Sequence, residues 1–156
     1  MPTYEIPGMG KLALNHLVLD YNGTLAVDGV LLPGVAEGLR ALAGELSIHV
    51  LTADTFGKAA QGLAHLPCDL AVLPPGEQDL AKRDFVKGLG ADQCACVGNG
   101  RNDRLMLEAA GLGVAVILGE GAAGVTVAAA DVVCTSITDA LALLRHPLRL
   151  AATLRC

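Results

Sequence analysis

The chain contains no apolar run approaching the ~20 residues that a membrane span requires. Its longest apolar stretches, such as residues 111–119, are broken by glycine. The start, Met1-Pro2-Thr3-Tyr4-Glu5, has no basic segment leading into an apolar one, so no signal peptide is expected. No basic stripe is present, and a net charge of −5 over 156 residues speaks against a nucleic-acid surface. The four histidines (His16, His49, His65, His146) do not stand at metal-ligand spacing. The five cysteines are odd in number and mostly set in apolar segments, which predicts buried free thiols, as in a reducing compartment. Cys94 and Cys96 share a strand face and are poorly placed to chelate, and only terminal Cys156 is free to react. There is no linker, repeat or low-complexity tract. These absences lead to one soluble, cytoplasmic domain, 1–156, with no membrane and no nucleic-acid partner.

What is present is apolar sequence in short blocks, 53% of residues in all, cut by Gly, Asp and Pro. Strands are predicted at residues 3–6, 12–19, 48–51, 70–73, 94–97, 113–118 and 131–134. Helices are predicted at 34–43, 56–66, 78–89, 104–110, 121–129 and 137–144, leaving 147–156 as a short basic tail without structure. Strands that are solidly apolar and alternate with helices form a mostly parallel sheet covered on both faces. The fold class is therefore α/β in three layers, with a core over about residues 12–145.

One stretch carries the chemistry. Leu17-Val18-Leu19-Asp20-Tyr21-Asn22-Gly23-Thr24-Leu25 reads as a buried strand ending in a carboxylate, where the backbone opens into a Gly-Thr turn. In open parallel sheets ligands bind at the carboxyl ends of strands. An aspartate there serves as a nucleophile, as a metal ligand, or as the cap of a turn. Tyr21 faces either substrate or the neighbouring loop.

The stretch resembles the first motif of the haloacid dehalogenase-like superfamily, Asp-x-Asp-Gly-Thr. It is also similar to the Asp-Lys-Thr-Gly-Thr of P-type ATPases. Asp20 falls on the family's nucleophile, and Asn22 falls where the phosphatases carry a second aspartate as general acid and base. Thr52, in Leu51-Thr52-Ala53-Asp54, matches the strand-end hydroxyl that bonds a phosphoryl oxygen; Asp54 and Thr55 are also placed to cap the next helix. Lys82 matches the charge-balancing lysine. Val97-Gly98-Asn99-Gly100-Arg101-Asn102-Asp103 resembles the metal-binding Gly-Asp-Gly-x-Asn-Asp loop, with Asn99 in place of its first aspartate. The resemblance runs over about residues 14–145.

It implies a Rossmann-like domain and a phosphatase-type hydrolase working through an aspartyl phosphate on Asp20, with Asn22, Thr52 and Lys82 as the other catalytic residues. Phosphate would be held by Gly23, Thr24, Ala53, Asp54 and Asn102. Mg²⁺ would lie between Asp20, the Asn22 carbonyl and Asp103, with Asn99 coordinating through its amide oxygen or a water. The amide of Asn99 brings no negative charge, so metal affinity is expected to be weakened, and Asn22 cannot exchange a proton at neutral pH. A slow or leaving-group-selective hydrolase follows. The alternative is a catalytically silent relative that binds phosphate, metal or protein, or one in which phosphorylated Asp20 is a signal. The intervals from Asp20 to Thr52 and from Thr52 to Lys82 are filled by ordinary elements, leaving no room for a cap domain. Uncapped relatives shield the site by oligomerising or accept large substrates; the expected partners are a small phosphorylated substrate and further copies of the chain, as a homodimer or homotetramer.

Overall fold

The computed structural model describes every residue except Thr55. In chain order the strands and helices are β1 (Thr3–Ile6), β2 (Gly10–Ala13), β3 (His16–Asp20), β4 (Ala26–Val27), β5 (Val30–Leu31), α1 (Val35–Leu42), β6 (Ser47–Thr52), α2 (Lys58–Leu63), β7 (Asp69–Val72), α3 (Gln78–Leu89), β8 (Cys94–Gly98), α4 (Arg104–Ala109), β9 (Leu112–Val116), α5 (Gly124–Ala129), β10 (Val132–Cys134), α6 (Ile137–Arg145) and α7 (Pro147–Leu154).

Six strands form one sheet in the order β10-β9-β8-β3-β6-β7, and every pairing in it is parallel. The sheet is buried on both sides, which is why its central strands read as unbroken apolar runs: Leu17, Val18 and Leu19 of β3 are all inaccessible to solvent. Alternate side chains leave the sheet on opposite faces. Leu17 and Leu19 join a cluster with Val35 and Leu39 of α1 and with Ala140 and Leu141 of α6. Val18 and Cys96 face the other way, against Val86 of α3 and Met106 and Leu107 of α4. These are the two helical layers expected from the alternation.

β3 lies at the centre, between β6 and β8, and the chain order reverses there: it runs outward through β6 and β7 and then returns to β8. A crevice forms at such a switch point, above the carboxyl ends of the strands. The register sets Asp20 beside Leu51 and Leu19 beside Val97, so the ends of β3, β6 and β8 are level.

Three local expectations are corrected. The strand over residues 12–19 divides at Asn15, whose N–H donates to the Gln93 carbonyl while its own carbonyl accepts from Ser47; the part before it pairs with β1 instead. A small hairpin, β4–β5, follows the Gly-Thr turn, too short to show an apolar period. The supposed tail 147–156 is mostly α7. Pro147 occupies the first helical turn, where a missing N–H is harmless. Leu150 is fully buried there, and Ala151 and Leu154 pack against the same core. Among the described residues no helix is long and apolar enough to cross a membrane. All five cysteines are free; Cys94 and Cys96 are buried, and Cys156 is exposed.

Candidate active site

Asp20 is the last residue of β3, Lys82 lies in α3, and Asp103 follows β8 at the start of α4. They are distant in sequence and meet at the crevice. The Lys82 ammonium donates to Oδ1 of Asp20 at 2.8 Å and to Oδ1 of Asp103 at 2.7 Å. All three side chains are buried, Lys82 to 1% exposure. Charges taken out of water in this way persist only when paired and hydrogen-bonded. Here one cation serves two carboxylates, so a negative charge is left over.

The excess shows in the titration of the groups. Burial, with Asp103 adding to it, pushes the Asp20 carboxyl up to about 7 against the pull of Lys82 and of the Tyr21 backbone. Burial alone would lower Lys82, but the two carboxylates and their hydrogen bonds hold it above the ordinary lysine value. A site with this surplus, walled by oxygen donors, fits a hard divalent cation. Among the described residues no third carboxylate, histidine or cysteine joins the two aspartates. The Thr24 hydroxyl links the Asp20 carboxylate to the amide oxygen of Asn99.

The loop after β8 is built to hold Asp103 still. Oδ2 of Asp103 accepts from the N–H groups of Asn99 (3.0 Å) and Gly100 (2.9 Å). The Thr126 hydroxyl of α5 donates to the Gly100 carbonyl at 2.7 Å, and Asn99 donates its amide N–H to the Gly121 carbonyl at 3.1 Å. Asn99 is thereby fixed with Oδ1 toward Thr24, whose hydroxyl lies 3.2 Å from it and 3.3 Å from Asp20 Oδ2. That single hydrogen serves one acceptor at a time. A side chain on Gly23, which sits at φ 82°, would run into the Asn99 amide; one on Gly98 would run into the Asp103 carboxylate, 2.5 Å from its Cγ. Both glycines are dictated by contact.

Other expected residues take different positions. Thr52 is buried, and its Oγ1 accepts from the Asp54 N–H at 3.2 Å, which leaves its own hydroxyl hydrogen free to donate. Asp54, expected to bind phosphate, turns both carboxylate oxygens to the Ala59 and Ala60 N–H groups at 2.7 and 3.2 Å, so it caps α2. Thr55, the other candidate cap, lies outside the described residues. The Asn102 amide, expected to bind phosphate, donates to Gln78 of α3 at 3.2 Å. Asn22 and Ala53 are exposed and line a cleft of about 400 Å³. Tyr21 is buried, with its hydroxyl donating to the Gly29 carbonyl at 3.1 Å, so it packs into the neighbouring loop. Thr126, Gly121 and Gln78 carried no signal in the sequence, because each acts through a tertiary contact. A larger groove, about 560 Å³, opens at the opposite end of the sheet beside His16, far from this chemistry.

A family model described as haloacid dehalogenase-like hydrolase matches residues 81–143, the span holding Lys82 and Asp103. An uncharacterised protein of Methanocaldococcus jannaschii is 39% identical over 84 residues, covering 51% of this chain and 90% of that protein. The chain belongs to the haloacid dehalogenase-like family. The fold agrees with solved members. The 3-deoxy-D-manno-octulosonate 8-phosphate phosphatase of Moraxella catarrhalis, in complex with magnesium ion, phosphate ion and the sugar acid, superposes with a TM-score of 0.70 at 17% identity, over 91% of this chain and 94% of that one. The cobalt-bound enzyme of the same name from Haemophilus influenzae gives 0.72 at 16% identity, over 92% and 94%. A zinc-transporting P-type ATPase is 28% identical with a TM-score of 0.59, over 80% of this chain but only 20% of the transporter. In this haloacid dehalogenase-like chain the elements among the described residues form the sheet, the crevice and the aspartate–lysine–aspartate contact, with no inserted cap domain among them.

Proposed function

We propose that the chain is a Mg²⁺-dependent phosphohydrolase in which Asp20 is the nucleophile. The observation that carries this reading is the buried Lys82 ammonium held between Asp20 and Asp103. An Asp20 oxygen attacks phosphorus, and the bond to the leaving oxygen breaks with its electron pair, giving an aspartyl phosphate. Water then attacks phosphorus, releasing phosphate and restoring the carboxylate. Lys82 and the Thr52 hydroxyl donate to phosphoryl oxygens in this reading, since phosphoryl transfer is catalysed chiefly by positioning and charge neutralisation. Asp20, Asp103, the Asn22 carbonyl and the Asn99 amide oxygen would hold Mg²⁺, which supplies further neutralisation of phosphoryl charge.

Asn22 stands where an acid and base would be useful, and it has no proton to exchange. Losing such help typically costs ~10²–10⁴-fold. Leaving groups that depart without protonation, such as acyl phosphates, are therefore favoured. The same amide, with Asn99, supports a second reading, a phosphate- or metal-binding regulator that does not turn over. Phosphate release from acetyl phosphate and p-nitrophenyl phosphate in Mg²⁺, with Asp20→Asn alongside, separates the two. Turnover abolished by Asp20→Asn supports the enzyme; a wild type with no turnover of either compound removes it.

A further inference from the structure

Every backbone polar group of Asn99 and Gly100 has a partner, and the partners come from two sides. Both N–H groups donate to Oδ2 of Asp103, at 3.0 and 2.9 Å. The Asn99 carbonyl accepts from the Ala123 N–H at 2.8 Å. The Gly100 carbonyl accepts twice, from the Asp103 N–H at 3.0 Å and from the Thr126 hydroxyl at 2.7 Å. The Asn99 side chain donates to the Gly121 carbonyl at 3.1 Å. Residues 121–126 therefore grip the loop through Gly121, Ala123 and Thr126, and the loop in turn grips one oxygen of Asp103.

Thr126 is the unexpected member of this set. It is the one polar side chain of α5 and is wholly buried between Val125 and Val127 in sequence. A threonine inside a helix ordinarily turns its hydroxyl back to a carbonyl of its own helix. Here the hydroxyl leaves α5 and crosses to the loop after β8. The Gly100 carbonyl already has the Asp103 N–H, so it does not need Thr126 to be satisfied. What the second bond adds is direction. Gly100 has no side chain to limit its torsions; with its N–H tied to Asp103 and its carbonyl tied to α5, both ends are fixed. Oδ2 of Asp103 is thereby committed to the loop, and Oδ1 is the oxygen that meets Lys82.

Resting on the phosphohydrolase reading above, we propose that Thr126 is a positioning residue for the divalent cation. Its hydroxyl acts through Gly100 and sets the orientation in which the Asp103 carboxylate is offered to Mg²⁺. Groups bonded directly to a metal ligand typically change affinity 10–100-fold when removed. Thr126 stands one bond further out, so its hydroxyl contributes roughly three- to tenfold.

The test is calorimetric titration of the full chain with Mg²⁺, comparing wild type, Thr126→Val, Thr126→Ser and Tyr4→Phe. Tyr4→Phe is the control for general destabilisation. It deletes a bond of the same kind, a buried hydroxyl donating to a backbone carbonyl at 2.7 Å, but between β1 and Leu144 of α6. Urea denaturation with the metal chelated measures what each variant costs the fold. Thr126→Val binds Mg²⁺ three- to tenfold more weakly and needs correspondingly more Mg²⁺ for half-maximal turnover of acetyl phosphate. Thr126→Ser, which keeps the hydroxyl, and Tyr4→Phe both bind as wild type does. If Thr126→Val does not fold, Thr126→Ala carries the same comparison. Unchanged affinity without the hydroxyl, a loss that Thr126→Ser shares, or an equal loss in Tyr4→Phe overturns the proposal and leaves the phosphohydrolase standing. The expected binding pattern without turnover of acetyl phosphate removes the phosphohydrolase and retains the role of Thr126; a wild type that binds no Mg²⁺ overturns both.

Discussion

Lys82 and Asp103 form an ion pair at 2.7 Å between two helices, and neither side chain reaches water. The same ammonium holds Asp20 at 2.8 Å. Removing the cation therefore leaves two carboxylates buried together. Lys82→Ala is expected to destabilise the fold by about 3–5 kcal/mol, the range for breaking a buried pair. Urea denaturation with the metal chelated measures it, and a loss below about 1 kcal/mol would show that the cluster is more hydrated than its burial implies.

The surplus negative charge makes stability fall as pH rises. The Asp20 carboxyl is raised from 3.8 to about 7 by folding, so the folded chain binds a proton that the unfolded chain has released between those values. This contribution is fully present below pH 4 and is lost as pH climbs through 7. With metal chelated, the wild-type midpoint should drop from pH 5.5 to pH 8 relative to Asp20→Asn, whose amide does not titrate. Mg²⁺ should recover the difference at pH 8. Parallel wild-type and Asp20→Asn curves would contradict the raised carboxyl.

Asn22, two residues after Asp20, is exposed and lines the cleft. Asn22→Asp is expected to raise turnover of p-nitrophenyl phosphate and of alkyl esters by ~10²–10⁴-fold, with the larger gains for poorer leaving groups. Acetyl phosphate should gain least in its first step. An equal gain for every compound would place the effect in hydrolysis of the phosphoenzyme.

Gly23 sits at φ 82°, and a Cβ there would run into the Asn99 amide, so Gly23→Ala meets both an unfavourable backbone region and a steric clash. A loss of about 1–3 kcal/mol is expected. The same change should weaken Mg²⁺ binding, because Asn99 must move to relieve the contact. Calorimetric titration with Mg²⁺ reads this directly.

Leu150 is wholly buried beneath α7, whose helix packs on β1. Leu150→Ala should cost about 2–5 kcal/mol. A change within experimental error would mean that α7 contributes nothing to the core.

Much of the fold was legible because buried parallel strands are solid apolar blocks and their covering helices repeat with a period of about 3.6 residues. Asp20 stood out as a carboxylate closing a buried strand, and Thr52, Lys82 and the loop ending at Asp103 stood out by their resemblance to the family's motifs. The β4–β5 hairpin was not legible, since two-residue strands have no period. α7 was missed because its apolar face is only Leu150, Ala151 and Leu154 beside a proline. Asp54 is ambiguous in sequence for a physical reason: a carboxylate after a strand suits a helix cap and a polar site equally, and only the Ala59 and Ala60 N–H groups decide it.

By itself, the order of apolar blocks and chemistry-bearing residues determined the α/β class, the lack of room for a cap, and which strand ends carry carboxylate and hydroxyl. Those properties are local, being written in periodicity and in residue type. The tertiary structure alone decided that Lys82 sits between Asp20 and Asp103, that the Asn102 amide meets Gln78, and that the Thr126 hydroxyl reaches the Gly100 carbonyl. Each depends on strand order and register, which bring together groups from different elements, and no local propensity encodes that closeness.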